Sequence, residues 1–169
     1  MHIDEFDAAE AATAAETVAV WAAIPEWVDA VVAGRPYGTV DALAARADVL
    51  ARQWTRAELD AAIAHHPRIG EKARGSGAEA AASSREQASM TTASGDVTAA
   101  IAAGNVAYEE RFGRVFLIRA AGRTPDEMLA ELTRRLGTDD DTEAAEALDQ
   151  LRQIALLRLR ASLDPTPEG

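Results

Sequence analysis

Alanine dominates the apolar residues of this chain, and that choice constrains the fold more than any other feature of the sequence. Hydrophobic residues make up 48% of the 169 positions, whereas aromatic residues supply only 5%. Alanine is the strongest helix former because its side chain loses no rotamer freedom in a helix, while sheets favour β-branched and aromatic side chains. The composition therefore predicts an all-α protein, and the length suits one domain with a substantial core.

Helix-start and helix-stop signals predict about eight helices along the chain. The clearest start combines Thr124, Pro125 and Glu127, which are an N-cap, a proline in the first turn and a capping-box acid. The segment RVFLIRAAG is the one strand-like stretch, and it is too isolated to form a sheet. We therefore predict a single-domain helical bundle over residues 1–169 with one short extended segment, in which residues 164–169 form a frayed tail.

A long helix is predicted after Asp96, which can act as its N-cap, and Gly113 is expected to end it. The side chains expected on its core face recur at helical spacing: Ile101, Asn105, Tyr108 and Phe112. Asn105 is the one polar residue among them. We expect it to be a buried structural amide that bonds to backbone.

Charge, cysteine content and the N-terminal segment exclude several classes of function. A formal net charge of −11 opposes binding to nucleic acid or anionic membranes, which both require a basic surface. The chain has no cysteine, so disulfides, thiolate zinc sites and a thiol nucleophile are excluded. The N-terminus lacks the pattern of a signal peptide, and no apolar stretch approaches the length of a membrane span. We expect a soluble cytoplasmic protein with no nucleic-acid or membrane partner.

Two adjacent histidines, His65 and His66, stand directly before Pro67 and are the candidates for acid–base chemistry near neutral pH. Proline disfavours the α conformation of the residue before it, which places His66 at or just past the end of a helix. The helix dipole favours a protonated histidine there, as a proton donor requires. Taken alone, the local pattern favours a simple helix ending. No acid or third histidine stands at ligand spacing, which disfavours a metal site.

The segment SSREQ begins with the last two residues of a predicted loop over residues 70–84 and carries a second candidate site. Ser83 with Glu86 matches a capping box, which predicts a helix that opens here and runs through about Thr91. Glu86 and Gln87 would then lie in a first helical turn, beside backbone N–H groups that can bind an amide or a carboxylate. A structural cap without a ligand is the alternative that the pattern alone favours.

Arg158 is a third candidate, because it follows Leu151 by seven positions and therefore shares the apolar face of the last helix. One interpretation is a snorkelling arginine whose charged head reaches water, and the position alone favours it. The alternative interpretation is an arginine that points inward and binds a planar anion through its guanidinium.

Four segments occur along the chain in the order HPRIGEK, SSREQASM, GNVAYEERFGRVFLIRAAGRTPDEML and EALDQLRQIALLRL. In this order and at these separations they resemble the OHCU decarboxylase family. Its enzymes decarboxylate 2-oxo-4-hydroxy-4-carboxy-5-ureidoimidazoline (OHCU) in urate breakdown. The earlier segment WVDAVVAGRPYGTVDAL also fits the family, so the resemblance covers about Phe6 to Leu159. Each motif is short, and it is their combination that makes the match specific.

The resemblance implies an all-α, cofactor-independent and metal-free carboxy-lyase that yields (S)-allantoin and carbon dioxide. It also implies a homodimer and functional coupling to 5-hydroxyisourate hydrolase and urate oxidase. By resemblance His66 is the catalytic acid, Glu86 is a second catalytic residue, and Pro67 shapes the pocket. The remaining residues expected to bind the substrate are Ser83, Gln87, Ile118, Arg119, Ala120, Ala121, Gly122 and Arg158.

Three residues depart from the family pattern. Arg114 and Val115 stand where the family usually has phenylalanine and proline, and Arg119 replaces a small residue. We expect the side chain of Arg119 to point outward, because the family's contacts in this segment are made through backbone. A non-catalytic helical interaction module is the alternative function, and a metal-dependent hydrolase ranks third.

Overall fold

The computed structural model describes residues 1–64, 66–71 and 77–163, and the regular structure within these ranges is entirely helical. The all-α prediction is therefore confirmed. No helix among the described residues is long and apolar enough to cross a membrane. The α-helices of the described residues are α1 (Ile3–Ala8), α2 (Ala11–Trp21), α3 (Pro25–Ala33), α4 (Val40–Ala51), α5 (Arg56–Ile63), α6 (Ala78–Glu86), α7 (Gly95–Phe112), α8 (Pro125–Arg135) and α9 (Asp140–Leu163). A short 3₁₀ helix (Ala88–Thr92) lies between α6 and α7.

The described residues form two compact units, and the first contains residues 1–58 with the C-terminal half of α9. Its core contains three buried tryptophans, and the ring nitrogens of two of them are hydrogen-bonded. Trp21 Nε1 donates to Ser162 Oγ at 2.9 Å, and Trp27 Nε1 donates to the Ala47 carbonyl at 3.1 Å. Burial of such large side chains removes much apolar surface from water, while the N–H groups of Trp21 and Trp27 keep a partner.

The second unit contains residues 59–151, with α6 to α8 and parts of α5 and α9. Gly113 ends α7 in the left-handed conformation at φ 72°, as predicted. The predicted capping box of α8 is present, since Thr124 Oγ1 accepts from the Glu127 N–H and Glu127 accepts from the Thr124 N–H. The core face predicted for α7 is also confirmed: the buried residues of this helix are Ile101, Asn105, Tyr108 and Phe112.

Two predicted helix starts are wrong. Ser83 and Glu86 do not open a helix, because α6 begins at Ala78 and Glu86 is its last residue. The alanine-rich stretch before Ser83 is itself a strong helix former, so the helix extends toward the N-terminus into the predicted loop. The N-cap of α7 is Ser94 and not Asp96, with Ser94 Oγ accepting from the Val97 N–H at 3.2 Å. The prediction of a single domain over residues 1–169 remains a prediction.

Candidate active site

His66 lies just beyond α5, as its proline neighbour predicted. Its backbone N–H donates to the Ile63 carbonyl at 3.0 Å, which continues the last turn of the helix before the chain leaves it. The ring is half-buried, and Nδ1 lies 3.4 Å from the Pro67 carbonyl oxygen. His65, the other candidate of the pair, lies outside the described residues. A histidine held at this exit, rather than inside the helix, can direct its ring away from the helix axis.

The loop that carries His66 is attached to α7. Asn105 is 4% exposed, and its Nδ2 donates to the Ile69 carbonyl at 3.1 Å. The expectation of a buried amide bonded to backbone is confirmed. Arg68 forms a two-pronged ion pair with Glu109, with N–O distances of 2.8 to 3.1 Å. A cavity of about 360 Å³ lies between this loop and α7, and His66 is not among its lining residues.

Gln87 joins α6 to the same loop. Its side-chain Oε1 accepts the Gly70 N–H at 3.0 Å, and its backbone N–H donates to the Ser83 carbonyl at 3.2 Å. Ser83 is buried, whereas Glu86 and Gln87 are half-buried. Because these residues lie at the C-terminal end of α6, the prediction that they flank a helical N-terminus with available N–H groups is wrong.

The segment from Val115 to Ala120 has neither helix nor strand. Ile118 and Ala120 are buried, Arg119 is half-buried, and Ala121 and Gly122 are exposed in a turn where Gly122 has φ 78°. The Arg119 N–H donates to Gln150 Oε1 at 2.8 Å, and the Arg119 carbonyl accepts from Arg123 Nε at 3.0 Å. Both backbone groups of Arg119 are thus already bonded within the protein.

The three departures from the family pattern have different surroundings. Arg114 is buried, and its Nε donates to Asp60 Oδ1 of α5 at 2.9 Å. Burial opposes the charge of Arg114, but the hydrogen bond and charge of Asp60 outweigh it and raise the arginine pKa. Val115 is half-buried. Arg119 is half-buried and its Nε atom is buried, and the outward direction expected for its side chain remains a prediction.

Arg158 belongs to the first unit, whereas the other candidate residues belong to the second. It is 8% exposed, and its Nη1 donates to the Val20 carbonyl at 2.9 Å. The snorkelling interpretation is therefore wrong, since the guanidinium is held by backbone within the unit. Inward burial is the condition that the anion-binding interpretation requires.

Two residues of this region were not found from the sequence. Glu109 follows the inward Tyr108, and Gln150 precedes the inward Leu151, so neither stands on the apolar faces that the spacing marks. Their partners, Arg68 and Arg119, lie 41 and 31 positions away. Among the described residues, no group of three or more His, Asp or Glu side chains could hold a metal ion.

Comparison with known proteins identifies one family. The family model for OHCU decarboxylase matches residues 7–160. The 2-oxo-4-hydroxy-4-carboxy-5-ureidoimidazoline decarboxylase of Haloferax volcanii is 30% identical over 126 residues, which are 74% of this chain and 73% of the relative. The enzyme of the same name from Amia calva is 30% identical over 133 residues, or 78% and 76% of the two chains.

Two solved structures share the fold. An OHCU decarboxylase crystallised in the presence of (S)-allantoin superposes with a TM-score of 0.72 at 25% identity, and the match covers 85% of this chain and 94% of the other. An (S)-allantoin synthase superposes with a TM-score of 0.71 at 17% identity over 97% of this chain. The match spans about half of that longer chain, at 55%, and shows the fold alone.

Proposed function

This chain belongs to the OHCU decarboxylase family, and we propose that it acts on OHCU as a carboxy-lyase that releases carbon dioxide and (S)-allantoin in urate breakdown. The observation that carries the proposal is the family match over residues 7–160, which includes every candidate site residue. The anchored loop that presents His66 supports it, because acid–base catalysis requires a positioned ring.

The reaction requires a single well-placed proton donor. The bond between the substrate ring carbon and its carboxylate breaks, its electron pair forms a C=C bond to the neighbouring carbon, and the C=N electron pair moves onto nitrogen, which leaves an enol-like anion. A proton from the acid then reaches the neighbouring carbon from one face, and the hydroxyl group becomes a carbonyl as its proton passes to the nitrogen of the former C=N bond. Because the substrate's own C=N bond accepts the electron pair, we propose no metal or organic cofactor.

His66 is the proposed catalytic acid. Pro67 keeps it outside α5, and the contacts of the loop with α7 hold its backbone, so the ring can be presented to one face of the substrate. A positioned general acid typically contributes about 10²–10⁴-fold to the rate. Delivery of the proton from one side would determine the configuration of the allantoin.

The remaining candidates would hold the substrate in one pose, which lowers the entropic part of the barrier. Glu86 is proposed to orient His66 or the substrate hydroxyl. Gln87 is proposed to contribute through its amide nitrogen, because its Oε1 already accepts from Gly70. The other proposed substrate contacts are Pro67, Ser83, the backbone of Ile118, Ala120, Ala121 and Gly122, and the Arg119 carbonyl through its second lone pair. A role of Arg158 in binding the substrate remains a prediction from the family resemblance.

Circular dichroism tests the function directly. Urate oxidase and 5-hydroxyisourate hydrolase generate OHCU from urate in the cuvette, and uncatalysed decay gives racemic allantoin. With this protein added, we expect faster carbon dioxide release and optically active allantoin. A racemic product formed at the uncatalysed rate would refute the proposed function.

A histidine variant tests the proposed acid. His66→Gln is expected to lower kcat by about 10²–10⁴-fold, whereas His2→Gln, at the exposed N-terminal histidine, leaves the rate unchanged. A folded His66→Gln protein with wild-type kcat would remove His66 from the mechanism while leaving the decarboxylase assignment intact.

The homodimer and the coupling to the two preceding enzymes remain predictions from the family resemblance, and the cytoplasmic location remains a prediction from the sequence pattern. Sedimentation equilibrium of the purified chain tests the first of them. A mass near 17.9 kDa at all concentrations would contradict the dimer.

A further inference from the structure

The non-helical segment between α7 and α8 cannot satisfy its backbone through a helix or a strand ladder. Phe116, Leu117, Ile118 and Ala120 are nevertheless buried. Buried peptide groups need hydrogen-bond partners, so other side chains must hold this segment. Two such side chains reach it, one from α8 and one from α9.

Arg135 of α8 holds the Leu117 carbonyl. Its Nη1 donates to that oxygen at 2.7 Å, and its guanidinium carbon lies 4.5 Å from the centre of the Phe116 ring. The side chain is 1% exposed and is itself fixed by Glu143, which accepts from Nε and Nη2. The Tyr108 hydroxyl also donates to Glu143, at 2.5 Å. The group that donates to the Leu117 carbonyl is therefore the planar, charged guanidinium of Arg135, which Glu143 and the Phe116 ring hold in place.

Gln150 of α9 holds the segment two residues further along. Its Oε1 accepts the Arg119 N–H at 2.8 Å. Together the two contacts bracket Ile118, whose side chain is buried. Because the Leu117 carbonyl and the Arg119 N–H are both fixed, the peptide groups on either side of Ile118 have little freedom to rotate.

We propose that Gln150 and Arg135 are positioning residues, which set the direction of the backbone groups between Ile118 and Gly122 that bind the substrate amides. The inference rests on the proposed function, in which this backbone contacts OHCU. Gln150 acts through the Arg119 peptide and does not itself touch the substrate.

The consequence is a separable kinetic effect. Contacts that hold the substrate ring equally before and during reaction affect KM more than kcat, whereas the proton donor affects kcat. Loss of the Gln150 contact is therefore expected to raise KM about tenfold, in line with one hydrogen bond. Because the substrate then binds in more than one pose, the optical purity of the allantoin is also expected to fall.

Four variants test the inference in steady-state assays with freshly generated OHCU. Gln150→Leu removes the acceptor, and Gln150→Asn withdraws it by one methylene, so both should raise KM with a smaller change in kcat. Gln150→Glu keeps an oxygen acceptor and should restore a KM near that of the wild type. Gln53→Leu, at an exposed glutamine of the first unit, is the matched control and should leave both parameters unchanged.

Urea denaturation of each variant shows whether it folds. If Gln150→Leu unfolds, the test is the comparison of KM and optical purity between Gln150→Asn and Gln150→Glu. A folded Gln150→Asn or Gln150→Leu with wild-type KM and optical purity would overturn the inference, as would an equal loss in Gln150→Glu. An inactive wild-type protein would instead refute the proposed function, and the inference with it.

Discussion

Replacement of Arg135 by methionine should destabilise the protein far more than the same change at its neighbour. Glu143 is 0% exposed and would lose its bonds to Nε and Nη2, while the buried Leu117 carbonyl would lose its donor. Removal of one partner from a buried ion pair typically costs about 3–5 kcal/mol of unfolding free energy. In a chain of this length that corresponds to a fall in Tm of about 6–20 °C.

The adjacent Arg134 supplies a matched control. Its side chain is 49% exposed, and it pairs with Glu131 and Glu146, which are each 32% exposed. Exposed ion pairs contribute about 0–1 kcal/mol, so Arg134→Met should lower Tm by no more than a few degrees. The two variants change the same residue type at neighbouring positions and differ chiefly in burial.

Urea unfolding measures the difference. Both variants should keep the wild-type m-value, with the midpoint falling strongly for Arg135→Met and slightly for Arg134→Met. A double variant that also carries Glu143→Gln should lose less than the sum of the two single changes, because neither partner is then left as an unpaired charge. Equal losses for Arg134→Met and Arg135→Met would refute the argument from burial.

Two further predictions concern pH and the His66 loop. Burial opposes ionisation of Asp48, but hydrogen bonds from Arg152 and Arg52 outweigh it and lower the pKa of this carboxyl. The contribution of Asp48 to stability is therefore complete above the unfolded pKa of about 3.9 and is lost as pH falls through the lowered folded pKa. The difference in unfolding free energy between wild type and Asp48→Asn should shrink between about pH 6 and pH 2. A difference that is constant with pH would contradict this. Asn105→Leu leaves the Ile69 carbonyl without its donor, which should cost about 1–3 kcal/mol and lower kcat more than it raises KM. Unchanged kcat in the folded variant would show that this bond does not orient the loop.

Local rules succeeded where the deciding contacts are close in sequence. The start of α8 at Pro125 and the end of α7 at Gly113 depend on a cap and a left-handed turn that neighbouring residues complete. The inward face of α7 follows from helical spacing alone. The same rules failed at Ser83 with Glu86, because a capping pattern does not report whether the preceding alanines already form a helix.

The sequence by itself determined the all-α class, the end of α7, the start of α8 and the position of His66 just past α5, since these follow from propensity, capping and the restriction that Pro67 imposes. Apart from Asn105, whose burial the helical spacing predicted, only the tertiary structure decided which polar side chains are buried, and it alone decided which groups they bind. Arg135 follows Met128 by seven positions, which places it on the apolar face of α8, but no local pattern shows that its guanidinium is buried against Glu143. The bonds from Gln150 to Arg119 and from Glu109 to Arg68 join residues tens of positions apart, so their partners exist only once the helices have packed.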